Sequence, residues 1–251
     1  MIKIGDLVTR KKYKNDIIFR ISNIDKNKVV LTGVDTRIIA DTNFEDINKI
    51  NTKETINNKN SIELDINNYF YIPGKILHLD SDINYLNECE KYYNNLKIKN
   101  YCFLYKENEY KKVINNLIQK TNPDIVVITG HDSRKKDGKY RNSNYFIETV
   151  KEIRKINNKI IIISGACQSN YESLIKAGST FSSSPERINI KVLDPSIIAS
   201  TIALSNVNEV IPLKSLLNKT ECGPQGIGGF EIKGVMKIGY PKLGNNKDYN
   251  A

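Results

Sequence analysis

The sequence predicts an α/β protein, with a mostly parallel sheet covered by helices on both faces and preceded by a small antiparallel barrel. Three observations predict it. From about Tyr69 strand-like and helix-like segments alternate through four rounds; two of those strand-like runs end alike, on a glycine followed by a chemically capable side chain; and residues 1–48 hold only short, partly alternating segments between polar turns.

In the first 48 residues the segments are IKIGDLVTR, IIFRISNID, KVVLTGVD and TRIIAD, separated by the turn-forming KKYKND and DKNK. The GDLV opening suggests an SH3-like module. It holds no histidine or cysteine, so docking or regulation is its expected role. Residues 49–68 are polar and low in complexity, which reads as a linker. Over 69–215 the elements run in order: strand GKILHLD, helix INYLNECEKYYNNL with Ile83, Leu86, Cys89, Tyr93 and Leu96 at helical spacing, strand KNYCFLY, helix YKKVINNLIQK, strand DIVVIT, helix SNYFIETVKEIRKI, strand KIIIIS and helix SNYESLIKAG. Parallel strands need crossovers, and these helices supply them. RINIKVLDPSIIASTIALS is expected to add one more strand and helix, and 216–251 form a Gly-rich β segment and tail.

Of the 251 residues, 39% are hydrophobic and 26% charged, the composition of an ordinary soluble globular protein. No run approaches the ~18 apolar residues of a membrane span. MIKIGDLVTRKKYK lacks the apolar stretch of a secretory signal, so a cytosolic protein is expected. Cys89, Cys102, Cys167 and Cys222 are scattered, with no CxxC pair and no clustered histidine; neither a disulfide framework, nor a metal, nor any cofactor is expected. The net charge of +10 comes from lysines set beside asparagine and isoleucine throughout the chain. That pattern reads as a solvated basic face; nucleic acid is not expected, while an acidic partner stays open.

Functional groups collect at the carboxyl ends of parallel strands. DIVVITGHDS places His131 there and KIIIISGACQSN places Cys167 there. Neighbouring strands lie about 5 Å apart, so a base and a nucleophile on the next two turns would share one sheet edge. The turn through Gly165 and Ala166 is expected to lead straight into a helix, whose first amides favour a thiolate. The backbone amides at Gly130 and Cys167 are candidate oxyanion donors. His78, at the end of the first strand, reads as structural.

Order along the chain narrows the chemistry. Both histidines, His78 and His131, precede Cys167, whereas papain-like proteases and cysteine amidotransferases need a histidine after the nucleophile. Histidine first and cysteine second is the order of caspases, gingipains, clostripain and separase, and GACQS echoes the caspase signature with Gly165 in place of glutamine. A closer likeness covers the whole chain. The GDLV opening, VVITGHD, SGACQSNYESLIKAGSTFSSSPERINIKVLDP and GIGGFEIKG together resemble the sporulation-specific cysteine peptidase family YabG.

The resemblance implies a caspase-like catalytic domain and an endopeptidase made during sporulation. It would trim spore-coat and germination-related proteins after arginine, with His131 and Cys167 as the catalytic pair. The mother-cell cytoplasm is the implied location, with the spore coat as a second place. In the broader caspase-like group a glycine usually follows the histidine, whereas here Gly130 precedes it and Asp132 follows. Relatives that cut after arginine often carry an acid two positions before the cysteine, where this chain has Gly165. A guanidinium needs a carboxylate partner, and Asp132, Glu172, Glu186, Asp194 and Glu231 are candidates, with Glu172 and Asp194 ranked ahead as the acids after the nucleophile's turn and after a strand.

GPQGIGGF is read as turn glycines because a strand-like EIKGVMKIGY follows where a phosphate loop needs a helix. HDSRKKDGKYRNSN reads as a mobile flap or solvated loop that could also hold self-cleavage points, and FSSSP as a wall of the cleft. Two other readings stay open: a non-catalytic flavodoxin-like module binding an acidic surface or nucleic acid, and a cysteine acyltransferase or amidase using the same pair.

Overall fold

The computed structural model describes residues 2–34, 36, 38–50 and 69–242. The linker expected over 49–68 therefore lies outside the described residues from 51 onward, as does the tail from 243. The chain divides into two compact units, Met1–Leu64 and Asp65–Ala251.

The first unit is an antiparallel five-strand sheet. Its strands are β1 (Leu7–Arg10), β2 (Phe19–Asp25), β3 (Lys28–Gly33), β4 (Ile39–Asn43) and β5 (Ile47–Lys49), in the spatial order β4-β3-β2-β1-β5. Alternation builds it: Phe19 and Ile21 are buried while Arg20 between them is exposed. Val8, Val29, Leu31 and Ile47 complete the core. The expected boundary at residue 48 cuts through β5. Three residues with one buried side chain are too few for a period of two to show.

In the second unit the elements are β6 (Phe70–Ile72), β7 (Ile76–Asp80), α1 (Ile83–Asn95), β8 (Asn100–Leu104), α2 (Tyr110–Thr121), β9 (Ile125–Ile128), α3 (Ser143–Ile156), β10 (Ile161–Ser164), α4 (Tyr171–Ala177), β11 (Phe181–Ser183), α5 (Asp194–Ala203), β12 (Val210–Ile211), α6 (Leu213–Leu217), α7 (Gly223–Gly226), β13 (Ile227–Gly229), β14 (Ile232–Lys233) and β15 (Lys237–Gly239). Six of them form a mixed, mostly parallel sheet in the order β13-β11-β10-β9-β7-β8, with only β13 antiparallel. β12 pairs with β14 and β15 with β6 in separate two-strand ribbons.

Both faces of this sheet are covered, which is why ILHLD, IVVI and IIIS read as continuous buried runs. One face packs Ile76, Ile125, Val127 and Ile163 against Cys89 and Tyr93 of α1 and Ile198 and Ile202 of α5. The other packs Leu77, Leu79, Val126, Ile128 and Ile162 against Ile114 of α2, Phe146 and Val150 of α3 and Leu174 of α4. Helix starts follow side-chain chemistry: Asp82 accepts the Asn84 and Tyr85 amides at the head of α1, and Asn170 accepts the Ser173 amide at the head of α4.

Two expectations need correction. RINIKV forms no strand. Left-handed residues Ser184 and Arg187 turn the chain beforehand. The backbone of the segment then serves the neighbouring turn, with Ile188 O accepting the Gln168 amide and Ile190 N pointing at a sulfur. Its place in the sheet is taken by FSS, which pairs in parallel with β10. Gly228 and Gly229, read as turn glycines, are strand residues of β13. A Cβ on Gly228 would meet the Tyr171 hydroxyl at 2.7 Å and one on Gly229 would meet Phe181 at 2.4 Å, so these two positions of the edge strand lie against side chains only because they carry none.

His78 is fully buried between Tyr93 (Nδ1 to Oη, 3.0 Å) and Thr129 (Nε2 to Oγ1, 2.8 Å). Burial pushes its pKa from 6.5 down to about 3. Below 6.5 the unfolded chain takes up a proton here that the native chain refuses. Stability should therefore fall by about 1.4 kcal/mol per pH unit as pH drops from 6.5 toward 3. Asp80, raised by burial, acts with the opposite sign from the ordinary carboxylate range upward, since there its native form holds a proton that the unfolded form has lost. Urea unfolding at pH 7, 6 and 5 should show the slope in the wild type and lose it in His78→Gln; equal slopes in the two would contradict this account.

Candidate active site

β9 and β10 are adjacent and parallel, and their register sets Ile125 beside Ile161 and Ile128 beside Ser164, an offset of 36 residues. His131 and Cys167 share that offset, three residues beyond the paired ends. Both line one cleft of about 120 Å³ at the carboxyl edge of the sheet. Asp80 and Thr129 lie in the same cleft, with Ile190, Val192 and Pro195 supplying apolar surface. A larger depression of about 500 Å³ lies on the first unit between Arg10, Asp41 and Asp46. Its Arg10 and Asp46 are paired with each other at 3.3 Å, and its lining holds neither cysteine nor histidine.

Gly130 and Gly165 make the two turns. Gly130 has φ +151°, and a Cβ there would lie 2.8 Å from Glu107 Oε1 and 2.9 Å from Ser81 Oγ. Gly165 has φ +102°, where a side chain would be strained. Glu107 crosses under Gly130 to accept the Ser81 hydroxyl (2.7 Å) and the His131 amide (2.9 Å). The His131 imidazole, about half exposed, sits 3.5 Å by Nδ1 from Ser81 Oγ and 3.9 Å by Nε2 from Asp82 Oδ2, with its ring 5.5 Å from that of Tyr85.

The Cys167 sulfur is 3.3 Å from the Ile190 amide, which donates to it, and 3.8 Å from the Ile190 carbonyl. This contact was invisible in the sequence, which suggested a strand over Ile190. The expected helix N-terminus is also displaced: α4 begins at Tyr171 and is capped by Asn170, so a turn separates it from Cys167. The donor at the sulfur is thus a loop amide. Neither the Gly130 nor the Cys167 amide has an acceptor among the described residues, whereas Ala166 N is engaged by Ser169 Oγ at 2.9 Å.

Of the expected acids, only Asp132 lines the cleft. It is buried and accepts four hydrogen bonds, from Ser133 N, Asn142 N, Ser143 Oγ and Ser169 Oγ. Glu172 pairs with Arg187. Asp194 is fully buried and accepts the Glu221 and Cys222 amides. Glu186 and Glu231 do not line the cleft. The loop after His131 closes on itself through a bridge between Arg134 and Tyr140.

Sequence reasoning missed Ser81, Asp82, Glu107 and above all Asp80. Asp80 is 3% exposed, accepts from Thr129 Oγ1 at 2.5 Å and from the Asp82 amide at 2.8 Å, and is raised by burial against those hydrogen bonds. The signal existed: HLDSD ends the first strand at the same sheet edge as TGHD and SGAC.

The sequence pattern of the YabG peptidase U57 family matches residues 3–68 and 56–241. The chain belongs to that family. The sporulation-specific protease YabG of Bacillus subtilis (strain 168) is 36% identical over 287 residues, covering 97% of this chain and 99% of that protein. Among solved structures, a Listeria monocytogenes protein described as a cystathionine beta-lyase involved in aluminum resistance is 14% identical over 45% of this chain and 31% of its own, with a TM-score of 0.31. As a U57 family member the chain is a peptidase. No helix among its described residues is long and apolar enough to cross a membrane.

Proposed function

We propose that this U57 peptidase is a cysteine endopeptidase of sporulation that cuts spore-coat and germination-related proteins after arginine. The observation that supports it most is the shared cleft: the imidazole and thiol capable of acyl transfer stand at matched positions on adjacent parallel strands. The parallel order β8-β7-β9-β10-β11 supports a caspase-like reading, with the cleft where the chain reverses direction across the sheet. The meander closed by β5 onto β1, with a 3₁₀ turn at Phe44–Asp46 before it, supports an SH3-like barrel that docks protein substrates. The enzyme would work in the mother-cell cytoplasm and at the forming coat.

In this mechanism the Cys167 sulfur attacks the carbonyl carbon of the arginine itself, forming a C–S bond while the carbonyl electron pair moves to oxygen. The Gly130 and Cys167 amides donate to that oxyanion. His131 takes the thiol proton and passes it to the leaving amine as the C–N bond breaks, with Asp82 Oδ2 3.9 Å from its Nε2. His131 then removes a proton from water, which opens the thioester and restores the thiol.

The arginine side chain requires a carboxylate and apolar cover for its methylenes. Asp132 accepts two hydrogen bonds on each oxygen, whereas Asp80 accepts one on each and keeps a lone pair free on both, so we assign the guanidinium to Asp80, which lines the cleft together with Val192 and Pro195. Asp80→Asn should raise KM for arginine substrates roughly a hundredfold, on the scale of a lost charge-assisted pair. Because its pKa is raised, wild-type affinity should weaken on acidification above the ordinary carboxylate range, and the variant should show no such limb. Mass-spectrometric mapping of cut sites in a coat polypeptide tests the specificity. Cuts after arginine support it, while cuts spread over other residues, or an Asp80→Asn enzyme with unchanged KM, would remove it.

A further inference from the structure

The residue after His131 departs from the glycine usual in the caspase-like group, and the structure supplies a use for it. We propose that Asp132 is a positioning residue that locks the His131 loop to the Cys167 turn. This rests on the catalytic pair proposed above and concerns how the pair is held in register.

The Asp132 carboxylate works in two directions. Oδ1 accepts the Ser133 and Asn142 amides, both at 2.8 Å, and so folds the loop that carries His131. Asn142 then closes that loop by donating from Nδ2 to the His131 carbonyl at 2.7 Å. Oδ2 accepts two buried hydroxyls, Ser143 Oγ and Ser169 Oγ, the latter at 3.0 Å. Each of those hydroxyls donates its only proton to Asp132 and so presents its oxygen to a backbone amide. Ser169 Oγ receives the Ala166 amide at 2.9 Å, on the residue before the nucleophile, and Ser143 Oγ receives the Asn170 amide at 2.9 Å.

Ser143 and Ser169 are 1% and 0% exposed. Water therefore cannot replace these bonds without opening the packing. The path from imidazole to sulfur runs through His131, Asp132, Ser169 and Ala166 to Cys167, all either bonded neighbours or hydrogen-bonded. A glycine in place of Asp132 would leave two buried hydroxyls and two amides without their acceptor. The same engagement leaves Asp132 with no oxygen spare for a substrate cation.

Removing the carboxylate outright risks unfolding, so Ser169→Ala carries the test. It breaks only the link to the nucleophile's turn. The expected result is a kcat lower by about ten- to a hundredfold with KM within threefold, the signature of a displaced reacting pair. Ser169→Thr, which restores the hydroxyl, should recover kcat to within a few-fold, and Asp132→Asn, which keeps one acceptor for the amides but none for both serines, should behave like Ser169→Ala. Urea midpoints measured alongside keep loss of fold separate. Wild-type kcat in Ser169→Ala, or a loss confined to KM, overturns the clamp. Full activity in Cys167→Ala would instead overturn the underlying catalytic pair.

Discussion

Cys167→Ala is expected to lower peptide cleavage by roughly 10⁴-fold or more, since the proposed mechanism routes every covalent step through its sulfur and acyl-transfer triads lose that much with their nucleophile. The folded state should hardly notice. The side chain is only partly buried, and its one close polar contact is the Ile190 amide at 3.3 Å, so the cost in stability is expected near 1 kcal/mol. Activity assays beside urea unfolding separate the two. Alanine at Cys89, Cys102 or Cys222 should each leave cleavage running, since none of them lines the cleft; Cys89, buried against α5 and the sheet, should cost stability instead. A Cys167→Ala enzyme that still cuts would mean a different nucleophile.

The second large effect belongs to His131. Its alanine variant should lose about 10²- to 10⁴-fold in kcat, the range for removing a general acid and base. The fold again has little at stake: the ring is about half exposed and its polar contacts, at 3.5 Å and 3.9 Å, are long. With only those long contacts to hold it, the imidazole is expected to turn toward the sulfur when substrate fills the cleft, as catalytic hydrogen bonds commonly shorten only then. The bond from Glu107 to the His131 amide anchors the backbone meanwhile. Single-turnover kinetics locate the defect. Both acylation and deacylation should slow in His131→Ala, whereas a variant that acylates at the wild-type rate would restrict the residue to the water step.

Much of this arrangement was legible in the sequence because it depends on periodicity. DIVVIT and KIIIIS are buried on both faces, and the helices between them keep a strict apolar spacing, so the alternation, the parallel order and the edge that carries His131 and Cys167 all follow from pattern. What escaped was set by backbone contacts that leave no periodic trace. RINIKV alternates like a strand, yet Ser184 and Arg187 turn it into the loop whose Ile190 amide meets the sulfur. Asp132 looked like an acid available to substrate because burial and four donors cannot be read from composition. Asp80 was hidden for a different reason: it is one of 28 acidic residues, without the scarcity that marks two histidines and four cysteines, although it ends the first strand of the same sheet.

The most direct trial of the account uses a peptide ending in arginyl chloromethyl ketone, whose methylene would form a C–S bond with the nucleophile as chloride leaves. Intact mass and peptide mapping should reveal one adduct per chain, on Cys167, with cleavage lost in proportion to labelling and no adduct in Cys167→Ala. An adduct on any other residue, or complete labelling of Cys167 with cleavage undiminished, would contradict a thioester intermediate at this position.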